Sequence, residues 1–186
     1  MIRLFVAIPF PPALRRRLAT MCGGIPGARW TDEDNFHLTL RFIGEVDEGT
    51  GRDVAEALGP VRGERFDLSL GGIDQFGKGE KARVLWIGVD KNPALVRLRE
   101  RVESALVRLG LTPEGRKFTP HVTLARLNGA PADCLGGFVQ SHQLVRLGPI
   151  TVESFALFSS WSHGEGPIYE IETEYLLNPP VSPPVG

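Results

Sequence analysis

The stretches that decide the fold are Phe36-His37-Leu38-Thr39-Leu40-Arg41-Phe42-Ile43 and Phe118-Thr119-Pro120-His121-Val122-Thr123-Leu124-Ala125-Arg126, which share the pattern His-x-Thr-Leu. Both alternate between polar and apolar residues, which predicts β-strands. Residues two apart in a strand point to the same side, so His37 and Thr39 share one face. His121 and Thr123 repeat this arrangement. Each predicted strand therefore carries an imidazole and a hydroxyl on one face, and its apolar reverse can enter a core.

The sequence around these motifs repeats as strand, helix and motif strand. The first copy runs 34 positions from Arg3 to its motif histidine, and the second runs 38 positions from Arg83. An internal repeat of this kind predicts two similar lobes related by a pseudo-two-fold axis. Few helices and hairpin-like strand pairs favour an α+β fold with largely antiparallel sheets. We expect residues 1–177 to form one domain of two interleaved lobes around a central cleft, and the Pro-rich tail 178–186 to be disordered.

Periodicity and capping signals place the remaining elements. The expected strands cover residues 3–8, 36–43, 66–70, 83–89, 119–127, 151–158 and 168–176. The expected helices begin at Pro11-Pro12, at an N-cap pair formed by Thr50 and Asp53, and at Pro93 after the N-cap Asn92. Residues 71–79 are expected to form a Gly-rich loop, and 131–143 are either irregular or a short helix.

If the pseudo-two-fold axis brings the two polar faces together, two imidazoles and two hydroxyls meet in the cleft. Opening a cyclic phosphodiester needs a base that takes a proton from attacking water and an acid that protonates the leaving alkoxide. Histidine has a reference pKa of about 6.5, so a pair can supply a neutral base and a charged acid at one pH. Threonine hydroxyls can donate to the non-bridging oxygens as charge builds there. The quartet His37, Thr39, His121 and Thr123 therefore predicts metal-independent acid–base catalysis.

Two other interpretations of the histidines stay open. A single His-x-Thr in a strand is usually structural, although two copies at matching positions of a repeat are harder to explain in that way. Metal ligation is disfavoured because histidine ligands usually have carboxylates or further histidines nearby, whereas the partner is a threonine in both motifs. Cys22 and Cys134 lie far apart without ligand spacing. The sequence therefore predicts neither a metal site nor a cofactor.

With these motifs the chain resembles the 2H phosphoesterase superfamily, and within it the LigT-like RNA 2′,3′-cyclic phosphodiesterases, historically called 2′-5′ RNA ligases. The similarity spans residues 2–177 and includes, besides the motifs, Arg3-Leu4-Phe5-Val6-Ala7-Ile8-Pro9, Trp30, Arg83-Val84-Leu85-Trp86 and Leu157-Phe158-Ser159-Ser160. The resemblance implies a bilobal LigT-like fold that hydrolyses a terminal RNA 2′,3′-cyclic phosphate to a 2′-phosphate, with O3′ leaving. It also implies that His37 protonates O3′ and that His121 activates water, a division that the near-equivalent repeats do not supply.

Two arginines are candidates for substrate binding. The resemblance implies an arginine near the phosphate after the second motif, which maps to Arg126. Strict alternation puts Arg126 on the face of Val122 and Leu124, so it reaches the cleft only if the strand twists, bulges or ends there. Alternation puts Arg41 on the His37 face, where it either contacts substrate or is a solvated strand end.

Aromatic residues are candidates for contact with a base. Phe5 or Phe42 can stack on a base, because stacking binds a nucleotide with little dependence on sequence. Core packing is the stronger expectation for both, as it is for Trp30 and Trp86.

Composition and charge exclude several classes of protein. Hydrophobic residues make up 42% and charged residues 23%, enough for a core, and the net charge of −1 is unsuited to coating DNA or RNA. No apolar run approaches the roughly 18 residues of a membrane span, and no signal peptide is predicted. We expect a cytoplasmic monomer that takes an RNA 3′ end or a cyclic nucleotide into a small, locally positive site.

The nearest competing function is the reverse chemistry, in which a cyclic end and a 5′-hydroxyl are joined by a 2′-5′ linkage. The same histidines serve this reaction by microscopic reversibility, but water at about 55 M favours hydrolysis unless a second RNA end is held in the site. A non-catalytic module that binds an RNA end or a nucleotide through its histidines is a different class, and the absence of turnover would distinguish it.

Overall fold

Nine strands and four α-helices form in the part of the chain that the computed structural model describes, residues 1–164 and 166–180. The strands are β1 (Ile2–Pro9), β2 (Ala28–Trp30), β3 (His37–Val46), β4 (Phe66–Phe76), β5 (Val84–Val89), β6 (His121–Leu127), β7 (Arg146–Val152), β8 (Ser154–His163) and β9 (Gly166–Leu176). The helices are α1 (Pro12–Met21), α2 (Glu48–Leu58), α3 (Pro93–Arg108) and α4 (Ala132–Ser141).

The strands form two antiparallel sheets whose orders match. The first sheet has the order β3-β1-β8-β9, and the second has the order β2-β6-β5-β4-β7. Apart from the edge strand β2, the motif strand β3 corresponds to β6, and its neighbour β1 corresponds to β5. Strand β4 from the first half of the chain lies in the second sheet, whereas β8 and β9 return to the first. The predicted α+β fold of two similar antiparallel lobes is confirmed.

The helix starts follow the capping rules, with one change from the prediction. The Asn92 side chain accepts a hydrogen bond from the backbone amide of Leu95 (3.1 Å), as expected for the N-cap of α3. Helix α2 begins earlier than predicted, because its N-cap is Asp47 and not Thr50 or Asp53. The Asp47 carboxylate accepts from the amide of Thr50 at 2.9 Å.

Three segments differ from the prediction or decide between its alternatives. Most of the Gly-rich segment 71–79 is not a loop, because β4 continues through residues 71–76 with a register shift against β5. Gly72 has a φ of +77°, which only glycine adopts readily and which lets the strand bend and continue. The predicted single strand 151–158 is also wrong, since it is divided between the end of β7 and the start of β8. The segment 131–143 contains the helix α4.

The C-terminal end of the described chain is held by backbone hydrogen bonds. The Asn178 amide donates to the carbonyl of Gly63, and the Asn178 carbonyl accepts from the amide of Arg65, both at 2.8 Å. The packed chain therefore extends beyond the boundary predicted at residue 177. Residues 181–186, most of the tail predicted to be disordered, lie outside the described residues. In the described ranges, no helix combines the length and the apolar character needed to cross a membrane.

The apolar sides of both motif strands lie in one hydrophobic core. The buried motif residues are Leu38, Leu40, Val122 and Leu124, each at most 3% exposed. The same core contains buried residues from all four helices and from both sheets. A separate small cluster lies on the opposite face of the first sheet and consists of Phe5, Ala7, Ala156 and Phe158. The helices thus cover one side of the sheets, and the other faces are left for the site.

Helix α3 is joined to β3 by an ion pair between the two repeats. Arg41 Nε lies 2.6 Å from one carboxylate oxygen of Glu103, and the two side chains are 9% and 15% exposed. The other oxygen accepts from the amide of Glu114 at 2.7 Å. Burial opposes ionisation of Glu103, but the Glu114 amide and Arg41 hold the pKa of this carboxyl below its ordinary value. The Arg41 guanidinium also donates to the carbonyls of Phe42 and Thr112.

We expect Glu103→Gln to lower the free energy of unfolding by about 3 kcal/mol at pH 7, because it leaves the buried Arg41 charge without an anion. The pKa of Glu103 is depressed in the folded state. The contribution of the pair is therefore present above the unfolded pKa of about 4.3 and is lost as the pH falls through the folded pKa. Urea unfolding at a series of pH values measures both effects.

The matched control is Glu45→Gln, which removes the partner of Arg3 in an exposed ion pair. We expect it to change the free energy of unfolding by well under about 1 kcal/mol. A difference between wild type and Glu103→Gln that stays constant as the solution is acidified would contradict the ion pair.

Candidate active site

A β-bulge in β3 decides which side chains of the first motif face the site. Thr39 pairs with Ala7 of β1, whereas Arg41 pairs with the adjacent Val6, so Leu40 is an extra residue. Paired residues share a face, and Val6 is part of the core. The bulge therefore turns the Arg41 side chain to the core side, where it pairs with the carboxylate of Glu103 in α3. The prediction that Arg41 shares the face of the motif histidine is wrong for this reason.

The second motif strand has a bulge at the same position. The register of β6 against β5 shifts at Leu124, which is the extra residue. Ala125 turns to the buried side and is 0% exposed. Arg126 turns to the face of His121 and Thr123, so the condition for this arginine to reach the cleft is met.

Phe42 and Arg126 occupy equivalent positions in the two repeats. We define the cleft as the space between the His37 face of the first sheet and the His121 face of the second. Phe42 pairs with Phe5 of β1, whose side chain is on the cleft face, and Phe42 is 59% exposed. The matching bulge thus presents an open aromatic ring on one side of the cleft and a guanidinium on the other.

His37 lies at the start of β3, against a floor of aromatic rings. Three ring centroids lie 4.9 to 5.9 Å from its own, those of Phe5, Tyr169 and Phe158. Nδ1 lies 2.7 Å from the carbonyl oxygen of Asn35, so Nδ1–H donates there and Nε2 is the basic nitrogen of the neutral ring. Nε2 accepts a hydrogen bond from the Thr39 hydroxyl at 3.1 Å.

His121 repeats this setting in the second lobe. Its Nδ1 lies 2.7 Å from the carbonyl oxygen of Thr119, so Nδ1–H donates and Nε2 is again the basic nitrogen. The ring of Phe76 meets it edge-on at 4.9 Å, and the ring of Trp86 lies 5.8 Å away. In both lobes the orienting carbonyl belongs to the residue two positions before the histidine. The two imidazoles therefore have the same tautomer for the same reason.

Burial controls the protonation of both rings. It lowers the pKa of His37 to about 4; the Asn35 carbonyl opposes this shift, and the charge of His121 adds to it. Burial also lowers the pKa of His121, with the Thr119 carbonyl opposing and the charge of Arg126 adding. Strands β3 and β6 are in contact, and the charge of His121 acts on the pKa of His37, so the two motifs lie near one another. In the free protein both imidazoles are neutral at pH 7.

The two candidate phenylalanines differ in exposure. Phe5 is 3% exposed and lies beneath His37, so its ring has no open face for a base and packs as a core residue. Phe42 keeps an open face at the edge of the cleft, and the expectation that it packs in the core is wrong. Trp30 packs against Phe138 with ring centroids 5.5 Å apart, as expected of a core residue.

Three aromatic residues of the site escape the sequence analysis. The sequence pattern puts Phe76 in a loop and Trp86 in the core, and it does not single out Tyr169 as part of a site. Trp86 lies directly opposite Thr123 in the β5–β6 register and so shares the face of that motif threonine, which only the strand pairing shows. Tyr169 lies on β9, which joins the first lobe only because the end of the chain returns there.

The described residues contain no group of three His, Cys, Asp or Glu side chains that could hold a metal ion. What the cleft brings together is two basic imidazole nitrogens, motif hydroxyls, a guanidinium and aromatic rings. Such a site can remove a proton on one side of a bound anion and donate one on the other. Two matching lobes, each with one His-x-Thr strand, define the class of two-histidine phosphoesterases.

The LigT-like phosphoesterase family model matches the chain twice, over residues 8–86 and 87–169, and the chain belongs to this family. The two matches follow the two copies of the internal repeat, one motif in each. The resemblance inferred from the motifs is therefore confirmed.

Curated relatives and solved structures agree with the family. An RNA 2′,3′-cyclic phosphodiesterase of Aeropyrum pernix is 40% identical over 151 residues, 79% of this chain and 84% of the relative. One from Thermotoga maritima is 31% identical over 176 residues, 91% and 92% of the two chains. A protein of Thermus thermophilus has a TM-score of 0.78 at 26% identity, covering 96% of this chain and 100% of its own. E. coli LigT complexed with 3′-AMP has a TM-score of 0.74 at 27% identity, covering 95% and 98%.

The burial of His37 makes stability depend on pH. The unfolded chain protonates this ring near pH 6.5, whereas the folded protein resists protonation until its pKa of about 4. Stability is therefore lost as the pH falls from 6.5 toward 4, on the order of 2–3 kcal/mol at pH 4.5 from this ring alone. Urea unfolding of wild type and His37→Asn at pH 7 and pH 4.5 measures the loss, which the variant should lack.

The control is His142→Gln, since the His142 imidazole stacks on Phe138 outside the cleft. We expect this variant to keep the wild-type pH dependence. The same pH dependence in wild type and His37→Asn would refute the burial of the His37 ring.

Proposed function

We propose that this chain is an RNA 2′,3′-cyclic phosphodiesterase that hydrolyses the cyclic end to a 2′-phosphate without a metal ion. The observation that carries the proposal is the matched setting of two imidazoles, each oriented by a backbone carbonyl and each with Nε2 as its basic nitrogen. The curated relatives named RNA 2′,3′-cyclic phosphodiesterase support this substrate. The solved complex of E. coli LigT with 3′-AMP supports nucleotide binding in the same fold.

In the proposed reaction one imidazole takes a proton from water as the water oxygen forms a bond to phosphorus. The bond between phosphorus and O3′ breaks, and the other imidazole gives its proton to O3′. The phosphate stays on O2′, and the rings exchange one proton with solvent to return to their starting states. Each of the two proton transfers contributes about 10²–10⁴-fold to the rate.

The depressed pKa values supply the base directly, but the acid must first gain a proton. A cyclic phosphodiester carries one negative charge, which favours the protonated form of an adjacent imidazole. The structure does not choose between the two rings, because burial lowers the pKa of both. We assign His37 as the acid and His121 as the base on the family resemblance alone.

Hydroxyl and guanidinium groups complete the proposed phosphate site. The Thr39 hydroxyl is already oriented toward the first imidazole, and Thr123 shares the face of the second. Both can donate to non-bridging oxygens as negative charge builds on them. Arg126 adds a positive charge that attracts the anionic phosphate of the substrate.

The base of the terminal nucleotide is proposed to stack on Phe42. The Phe42 ring is exposed at the edge of the cleft, and stacking of this kind contributes about 1–3 kcal/mol. Phe5 and Arg41 are left out of substrate contact, because one supports His37 from below and the other is paired with Glu103.

We further propose that the protein acts in the cytoplasm as a monomer. Both imidazoles, both threonines and the arginine of the site come from one chain, so a single copy suffices for the chemistry. Its proposed partner is one RNA 3′ end, or one cyclic nucleotide, in each cleft.

The test of the proposal is a product assay on a short single-stranded RNA that ends in a 2′,3′-cyclic phosphate, with and without EDTA. We expect the wild type to give a 2′-phosphate at the same rate in both conditions. His37→Ala and His121→Ala should each lower kcat/KM at least about 10²-fold, because each removes one proton transfer. His142→Gln, outside the cleft, is the matched control and should keep the wild-type rate.

A second RNA with a 5′-hydroxyl, added to the same reaction, separates hydrolysis from ligation. Water at about 55 M should keep the 2′-phosphate as the main product. A 2′-5′-joined RNA as the main product would favour a ligase, and binding without turnover would favour a binding module. A 3′-phosphate product, or loss of activity in EDTA, would contradict the proposed mechanism.

A further inference from the structure

Arg29 and Arg126 lie side by side on the cleft face of the second sheet. Strand β2 is the edge strand beside β6, and its Arg29 pairs directly with Arg126. The next pair along the two strands, Trp30 and Ala125, packs on the core side. Alternation therefore turns both arginines toward the cleft, where Arg29 is exposed.

This pair is electrostatically unfavourable without an anion. Like charges directly opposite one another in antiparallel strands destabilise a sheet. Within residues 1–164 and 166–180, neither arginine forms an ion pair with a carboxylate. Two adjacent guanidinium groups match the chemistry of a phosphate, which arginine binds through paired, charge-assisted hydrogen bonds.

Tyr169 of the first lobe connects the arginine pair to His37. The Tyr169 ring meets the His37 ring edge-on, with centroids 5.2 Å apart. Burial raises the pKa of Tyr169, whereas the charges of Arg126 and Arg29 lower it, so both guanidinium groups lie near this phenol. Tyr169 therefore lies near both His37 and the arginine pair, and Arg29 is on the outermost strand of the second sheet.

We propose that Arg29, next to Arg126, forms a second phosphate position that binds the phosphodiester on the 5′ side of the terminal nucleotide. The inference rests on the proposed function, because it takes the cyclic phosphate to lie between the two histidines. Paired residues of neighbouring strands have Cα atoms about 5 Å apart, so Arg29 extends the positive surface beyond the phosphate that Arg126 contacts. The RNA then leaves the cleft over β2. A cyclic mononucleotide lacks this second phosphate, so the position favours RNA ends over free cyclic nucleotides.

Substrate length tests the proposal. The measured quantity is the ratio of kcat/KM for a short single-stranded RNA ending in a 2′,3′-cyclic phosphate to kcat/KM for 2′,3′-cyclic AMP. We expect this ratio to fall about tenfold in Arg29→Gln, mainly through the KM for the RNA, since one charge-assisted contact is lost. Arg29→Lys should recover part of the loss. Arg16→Gln, which removes an exposed arginine of α1, is the charge-matched control and should leave the ratio unchanged. An unchanged ratio in Arg29→Gln would overturn the proposal.

A binding measurement in a His121→Ala background separates failure of this inference from failure of the proposed function. The plot of log Kd against log salt concentration for the same RNA should become less steep by about 0.7 when Arg29→Gln is added, which corresponds to one phosphate contact on a single strand. If the wild type hydrolyses neither substrate, the proposed function fails. The second phosphate position is then tested by the salt dependence of Kd alone. A reduced slope supports the second phosphate position, and an equal slope overturns it.

Discussion

Burial of both motif strands against one shared core is the constraint on which the site depends. Leu38 and Leu40 in one repeat, and Val122 and Leu124 in the other, are held inside a single apolar cluster. Strand side chains alternate, so this burial forces the imidazole and hydroxyl of each motif to the opposite face. Hydrophobic packing therefore positions the two histidines, which would repel one another if both were charged.

The asymmetry of the cleft comes from side chains on a nearly symmetric backbone. Both motif strands bulge at the motif leucine, so the third residue after the threonine enters the cleft in each repeat. That residue is Phe42 in one lobe and Arg126 in the other. At this position the first lobe thus offers an aromatic ring and the second offers a positive charge. A nucleotide end, with a flat base and an anionic phosphate, is complementary to such a pair of surfaces.

The repeat, the motif strands and the N-cap Asn92 could be predicted because each follows from a residue pattern that is visible in the sequence itself. The place of Arg41 could not, because one extra residue in a strand reverses its face while the hydrophobic pattern still looks regular. Trp86 and Phe76 belong to the site through the pairing of β4, β5 and β6, and pairing depends on residues far away in the chain. Tyr169 reaches His37 only because β8 and β9 return to the first sheet, a matter of topology that periodicity does not encode.

The central claim is that one phosphate contacts both imidazoles. Side-chain ¹H–¹⁵N NMR spectra of the histidines, recorded as inorganic phosphate is added, test it most directly. We expect the resonances of His37 and His121 to shift together with one dissociation constant, and the pKa of both rings to rise on binding. Phosphate that moves only one of the two rings, or moves them with different dissociation constants, would contradict it.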